Sequence, residues 1–281
     1  MADLENIFAR QSRYQDALVN AFEEHLRAVV LKAQAQVVWK LQRALDLDAD
    51  GVIKDSLKNR NTLKKIGQLF MAEMKTAGYD RLVNAFVAEF DGTLPFLDEV
   101  INKLGTQVQK KWKLSFSKSD LSILSNQQVN VATSLKETID AAAGSALTRG
   151  LFSLGGLRFK SLVDVLAEQL NTGLSKAAGV AETGMSIFYA TANDRAFQKI
   201  EQENESLVEE PKYIYAGPHD LLNRPFCDHL LSVAKSYTRE QIGKMNNGQL
   251  PNVFITRGGW RCRHQWLLDV SALEVRAAEA A

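Results

Sequence analysis

Residues 14–45 read YQDALVNAFEEHLRAVVLKAQAQVVWKLQRAL. Within them Tyr14, Leu18, Phe22, Leu26, Val29, Ala33, Val37, Leu41 and Leu45 recur at steps of three and four. Such steps follow the helical period, so these side chains share one stripe of a long amphipathic helix that begins near Ile7 and needs a partner for its apolar face. The following run, LDLDADG at 45–51, ends the helix, because clustered Asp and Gly favour turns. It has the opening of a calcium loop but lacks the bidentate Glu at the twelfth position, so it reads as a plain turn.

Composition agrees with a helical chain. Only 17 Gly and 5 Pro occur in 281 residues, 46% of residues are hydrophobic, and Ala, Leu, Lys, Glu and Gln dominate. The 34 basic and 33 acidic residues leave a formal charge of +1, so nucleic acid or an acidic membrane would have to be bound through a local patch. The N-terminal stretch MADLENIFARQSRYQDAL carries acidic residues and no apolar run, unlike a secretory signal, and the chain is expected to stay in the cytosol where it is made. The most lipid-like stretch, Ala141 to Leu157, is broken by Arg149 and glycines, so no membrane span is expected. Cys227 and Cys262 are the only cysteines, which excludes a disulfide framework but leaves one bridge or one shared metal open.

Further helices are expected around Lys54 to Thr76 and Asp80 to Phe90, with Gly78 and Gly92 as breaks. Thr93 and Pro95 have the form of an N-cap and first-turn proline for a helix carrying Leu97, Ile101, Leu104 and Val108. Ser119 or Asp120 opens the next, with Leu124, Val131, Leu135 and Ile139 facing inward. GLFSLGG at 150–156 reads as a hinge and lacks the Gly-Lys-Ser/Thr of a phosphate loop. From Arg158 to Glu203 apolar residues again keep helical spacing, but Gly173, Gly179 and Gly184 favour two helices joined near Gly173, or a kinked one.

Five glutamates between Glu201 and Glu210, followed by Pro211, mark a solvated boundary. Beyond it the pattern changes: KYIYA at 212–216 is β-prone, Asn223-Arg224-Pro225 starts an element, and VFIT at 253–256 is the next β-prone run after an Asn-Asn-Gly turn. The expected fold is mainly α, a long helical N-terminal region followed by a small α+β module. Residues 1–205 form the helical region, with two subdomains split near 150–157 as an option; 206–270 form the module and 271–281 a tail.

The module carries the most specific residues: YAGPHD at 215–220, NRPFC at 223–227, YTREQI at 237–242, NGQ at 247–249, and GGWRCRH at 258–264 with Trp266. Together they resemble the C-terminal module of MuF-like phage minor head proteins. The resemblance spans roughly Ala178 to Val270, since the helix bearing Ala181, Glu182, Thr183 and Asn193 is similar to the one that precedes the module in that family. Two departures stand out: the family usually has Thr where this chain has Asn223, and often His-Gly-Lys in the region of 231–235, here LSVAK. The resemblance implies a virion protein of few copies near the portal vertex or inside the head, acting in head assembly or in DNA packaging or ejection. Its implied partners are the portal or other head and neck proteins, a second copy of itself, or packaged DNA. It further ties together Cys227, Cys262 and His264 but not His229, and with Arg224, Trp260 and Trp266 these three make up the expected structural cluster.

Cys227 and His229, with Cys262 and His264, also form two Cys-x-His pairs, a set of four that could hold zinc tetrahedrally. The one-residue gap is tighter than that of zinc knuckles and weighs toward a buried cluster without metal. A catalytic thiol oriented through Asp220 or Asp228 lacks any nucleophile turn or oxyanion signature, so the chain is expected not to be an enzyme. An enzyme or toxin-like effector built on the cluster is the alternative, with a helical nucleic-acid-binding protein third. Lys54, Lys58, Arg60, Lys64 and Lys65, and Lys110, Lys111 and Lys113 with Lys118, are candidate contacts for DNA phosphates or a partner, although solvated faces are the commoner role of such clusters.

Overall fold

The computed structural model describes residues 2–152, 157–203 and 210–271. The fold is mainly α. In order come α1 (Ala2–Ala44), α2 (Leu57–Leu63), α3 (Ile66–Thr76), α4 (Tyr79–Ala88), a 3₁₀ turn (Glu89–Thr93), α5 (Leu94–Gln107), α6 (Lys118–Phe152) and α7 (Phe159–Glu203). There follow β1 (Lys212–Ala216), α8 (Pro225–Val233), β2 (Ser236–Thr238), α9 (Arg239–Gly243), α10 (Val253–Thr256) and β3 (Gln265–Leu268). None of the described helices is long and apolar enough to cross a membrane.

Contacts divide the chain into two compact units, one of Met1–Ala17, Ala88–Val129 and Glu182–Ala281, the other of Leu18–Val87 and Asn130–Ala181. This division departs from the expected boundaries at 205/206 and near 150–157. The residues after 210 do not form a core of their own; they complete it with the second half of α7, as the hydrogen bonds below make plain. Of the expected hinge at 150–156, residues 150–152 form the end of α6 and 153–156 lie outside the described residues, as does the expected tail at 271–281 beyond Ser271.

In the second unit the α1 stripe is buried at Val19, Phe22, Leu26, Val30, Ala33, Val37, Leu41 and Leu45. Phe22 stacks on Phe86 of α4 at 4.3 Å between centroids, and Lys40 pairs with Glu73 of α3. The partner that the apolar face of α1 needs is therefore found within the chain itself. The 45–54 loop is a turn, as read: Asp48 Oδ1 accepts from the N–H of Asp50 (3.0 Å) and Val52 (2.8 Å). Asn59, fully buried, ties this loop down by accepting from Asp46 N–H and donating to the carbonyls of Asp46 and Lys54.

α7 is one continuous helix, so of the two expected forms the pair joined near Gly173 is corrected. Gly173 serves a close approach instead of a break, since a Cβ there would lie 2.6 Å from the Cβ of Ala142 on α6. Two start signals also shift. Thr93 donates to Phe90 O and caps nothing, because the 3₁₀ turn runs into α5 without interruption. The cap of α6 is Ser117, whose Oγ accepts from Asp120 N–H while the Asp120 carboxylate accepts from Ser117 N–H.

In the first unit β1 is the middle strand of an antiparallel sheet of order β2-β1-β3. The register sets Tyr213 opposite Tyr237 and Leu268, and Tyr215 opposite Trp266. Alternation sends Tyr213 and Tyr215 to one buried face, where Tyr213 meets Phe254 edge-on at 4.8 Å and Tyr215 lies 4.7 Å from Trp266. Pro225 starts α8 at its first turn, and Thr238 with Gln241 forms a reciprocal capping box on α9. Residues 253–256, expected as β-prone, form a single helical turn instead, with Thr256 Oγ1 bonded back to the carbonyls of Pro251 and Asn252.

Candidate functional site

The loop between α10 and β3 is wound tightly. Asn252, just before α10, and Arg257 and Arg261 in the loop have positive φ (56°, 52° and 57°) without being glycine, conformations that local sterics disfavour and surrounding contacts must hold. The contacts are present on α7. Thr183 Oγ1 accepts from Arg261 N–H at 3.1 Å, Ser186 donates to Cys262 O, and Asn193 Nδ2 donates to Trp266 O at 2.7 Å. Thr183 and Asn193 belong to the helix already singled out in the sequence.

This winding brings Cys227, on the first turn of α8, against Cys262. Both are free thiols, 2% and 4% exposed, and His264 is 3% exposed beside them. The ligand atoms of the three lie within 4.8 Å of one another. Tyr215 Oη is 3.5 Å from Cys227 Sγ and 3.4 Å from Cys262 Sγ, and Cys262 Sγ is 3.6 Å from His264 Nδ1. His264 Nε2 donates to Pro218 O at 2.8 Å, which leaves Nδ1 as the nitrogen facing the sulfur. Gly258 N–H donates to Cys262 Sγ at 3.2 Å, and a Cβ at Gly258 would sit 2.2 Å from Cys227 Sγ.

The two thiols titrate as a pair and pull apart. Cys262 falls well below the ordinary thiol range because the Cys227 thiol hydrogen-bonds to it, with His264 and the Arg257 guanidinium adding to the effect. Cys227 is pushed up by the sulfur beside it and by burial. Burial also keeps the Tyr215 hydroxyl protonated. Arg257 is 1% exposed, and its guanidinium bonds to Gln265 Oε1 (3.0 Å) and to Ser186 O (2.8 Å) and Oγ (2.7 Å), with Nε left unpartnered.

Around this centre Arg224 ties α8 to the loop by donating to the carbonyls of Gly258 and Trp260. Arg263 forms a two-pronged pair with Asp220 at 2.6 and 2.8 Å, holding Asp220 down at about 2. Of the expected structural cluster, Cys227, Cys262, His264, Arg224 and Trp266 meet here. Trp260 does not: it is 47% exposed, and only its backbone takes part.

The expected metal set is corrected in the same way. His229 is exposed, because two positions along α8 turn it to the side opposite Cys227. Tyr215 and Arg257 are the members that spacing did not reveal. Tyr215 was legible only as a core aromatic, and a lone Arg after a short apolar run carries no sign of burial.

Two of the candidate basic residues are held in ion pairs. Lys58 pairs with Asp46 and Arg60 with Asp55, while Lys54, Lys64 and Lys65 are exposed beyond the ends of α2. Lys110, Lys111 and Lys113 are exposed on an extended segment pinned by buried Trp112. A groove of about 550 Å³ in the first unit is lined by Leu4, Phe8, Leu104, Ile214, Tyr215, Leu231, Leu268 and others, without Cys227, Cys262 or His264. Comparison with protein-family models, with curated proteins and with solved structures finds no match to this chain.

Proposed function

We propose that the chain is a structural component of a bacteriophage particle, a minor head protein of the portal vertex or head interior that assists head assembly or DNA packaging and ejection. One observation carries this reading. The residues that resemble the MuF-like module, dispersed from Thr183 to Trp266, interlock in one buried knot through Thr183, Asn193, Arg224, Cys227, Cys262 and His264. A resemblance made of unrelated fragments would have no reason to converge. The knot is mechanical in character, since its thiols and imidazole are under 5% exposed and the 550 Å³ groove does not reach them. This favours a structural role over a thiol enzyme, whose nucleophile must meet substrate.

The portal or its neighbours, packaged DNA and a second copy of the chain are the proposed partners, with the virion as location. Because the α1 stripe is closed internally, docking falls to other surfaces. The test is to tag the chain in a phage that encodes it, purify full particles and locate the tag in particle density. Density at the portal vertex or inside the shell is the expected result. A chain recovered wholly as free protein, with none in infectious particles, overturns the reading.

A further inference from the structure

We propose that Cys227, Cys262 and His264 bind a zinc ion, with the Tyr215 hydroxyl at the fourth vertex. Three edges suit a tetrahedron. Zinc bonds of about 2.3 Å to sulfur and 2.0–2.1 Å to nitrogen make a sulfur-to-nitrogen edge of about 3.5–3.6 Å, and Cys262 Sγ to His264 Nδ1 measures 3.6 Å. Bonds to oxygen of about 2.0–2.2 Å make a sulfur-to-oxygen edge close to the 3.4 and 3.5 Å that separate Tyr215 Oη from the two sulfurs.

The surroundings are those of a ligand set oriented from behind. His264 is anchored through Nε2–H on Pro218 O, which fixes the tautomer and aims Nδ1 inward, as the outer hydrogen bonds of metal-bound histidines do. Gly258 brings its N–H onto Cys262 Sγ and leaves no side chain where the sulfurs meet.

On binding zinc the two thiols would each give up a proton to solvent, so the ion and its two thiolates add no net charge to the buried site. Two sulfurs and one imidazole select zinc over magnesium or calcium, which prefer oxygen ligands. The inference stands apart from the viral reading, since metal content is read on the purified chain and particle location is not used.

The experiment is elemental analysis of the full-length chain, purified without a metal-affinity step, incubated with excess zinc under reducing conditions and desalted, together with absorption spectra of the cobalt-substituted protein. One zinc per chain and a tetrahedral cobalt spectrum with thiolate charge transfer are expected. Cys262→Ser and His264→Gln lower zinc affinity by at least about tenfold, whereas His229→Ala keeps full stoichiometry. Tyr215→Phe retains zinc and changes the cobalt spectrum. Should the thiol variants fail to fold, the wild-type stoichiometry and cobalt spectrum decide alone. A folded wild-type chain holding no more than trace zinc overturns the proposal. So does a Cys227–Cys262 disulfide that persists under those conditions, seen as the loss of two hydrogens by mass, or loss of metal in His229→Ala.

Discussion

Arg257 Nη2 donates to both the hydroxyl and the carbonyl of Ser186, 71 residues earlier on α7, at 2.7 and 2.8 Å. The same hydroxyl donates onward to Cys262 O, so one serine on a helix holds a buried cation and the loop that carries the cysteine. Ser186→Ala removes an acceptor from the guanidinium and the donor from a buried carbonyl. The expected cost is about 1–3 kcal/mol of stability, read as a lower urea midpoint with helical circular dichroism unchanged. A midpoint equal to wild type would mean that the arginine is satisfied without the serine.

Gly258→Ala tests the closeness of backbone and sulfur. Its Cβ would lie 2.2 Å from Cys227 Sγ and 3.1 Å from Cys262 Sγ, and both sulfurs are enclosed. Overpacking of this kind costs about 1–3 kcal/mol, and thermal unfolding should report it as a lower Tm. An unchanged Tm would show that the loop can give way freely.

Two helix glycines make an opposed pair. At Gly173 a Cβ would collide with Ala142 Cβ at 2.6 Å, whereas a Cβ at Gly144 on α6 would meet no atom of the described residues within 4 Å. Gly144→Ala should therefore stabilise by about 0.5–1 kcal/mol through helix propensity alone. Gly173→Ala should destabilise despite the same gain in propensity. Parallel denaturant titrations decide the matter, and equal stabilisation by both would refute the close approach of α6 and α7.

Asp220 gives a pH signature. The Arg263 side chain draws its pKa down from 3.8 to about 2, with Leu222 N–H assisting. A carboxylate depressed on folding contributes stability that is complete above the unfolded value near 3.8 and is lost as pH falls through about 2. The pair is partly exposed, so the contribution is at most about 1 kcal/mol after solvent screening. In Arg263→Gln the Asp220 titration, followed by NMR, should move up toward the ordinary carboxylate range. A midpoint remaining near its wild-type position would assign the depression to the backbone instead.

The helices were legible wherever a long apolar stripe repeated locally. α1 ends within one residue of the turn read at 45–51, although its buried side chains are Val19 and Val30 where Leu18 and Val29 were expected. At these two places the adjacent apolar residue takes the inner position, which a sequence stripe cannot resolve because neighbouring apolar residues compete for the same face. Caps were less legible: Ser117 preceded the expected Ser119 or Asp120, and Thr93 capped nothing. The β-prone composition of 253–256 gave way to a helical turn because Phe254 and Trp266 had to stack, with Trp266 Nε1 donating to Val253 O.

What the sequence determined by itself was the local part: helical period, turn chemistry and the strand 212–216. Each depends on backbone preferences within a few residues. The tertiary structure decided which side chains became neighbours across the chain. It placed Ser186 against Arg257, the Tyr215 hydroxyl against two sulfurs, and His229 in solvent in place of a fourth ligand. Those outcomes depend on how the loop from 252 to 264 winds back over α7, and positive-φ residues held by long-range hydrogen bonds leave no periodic trace in the sequence.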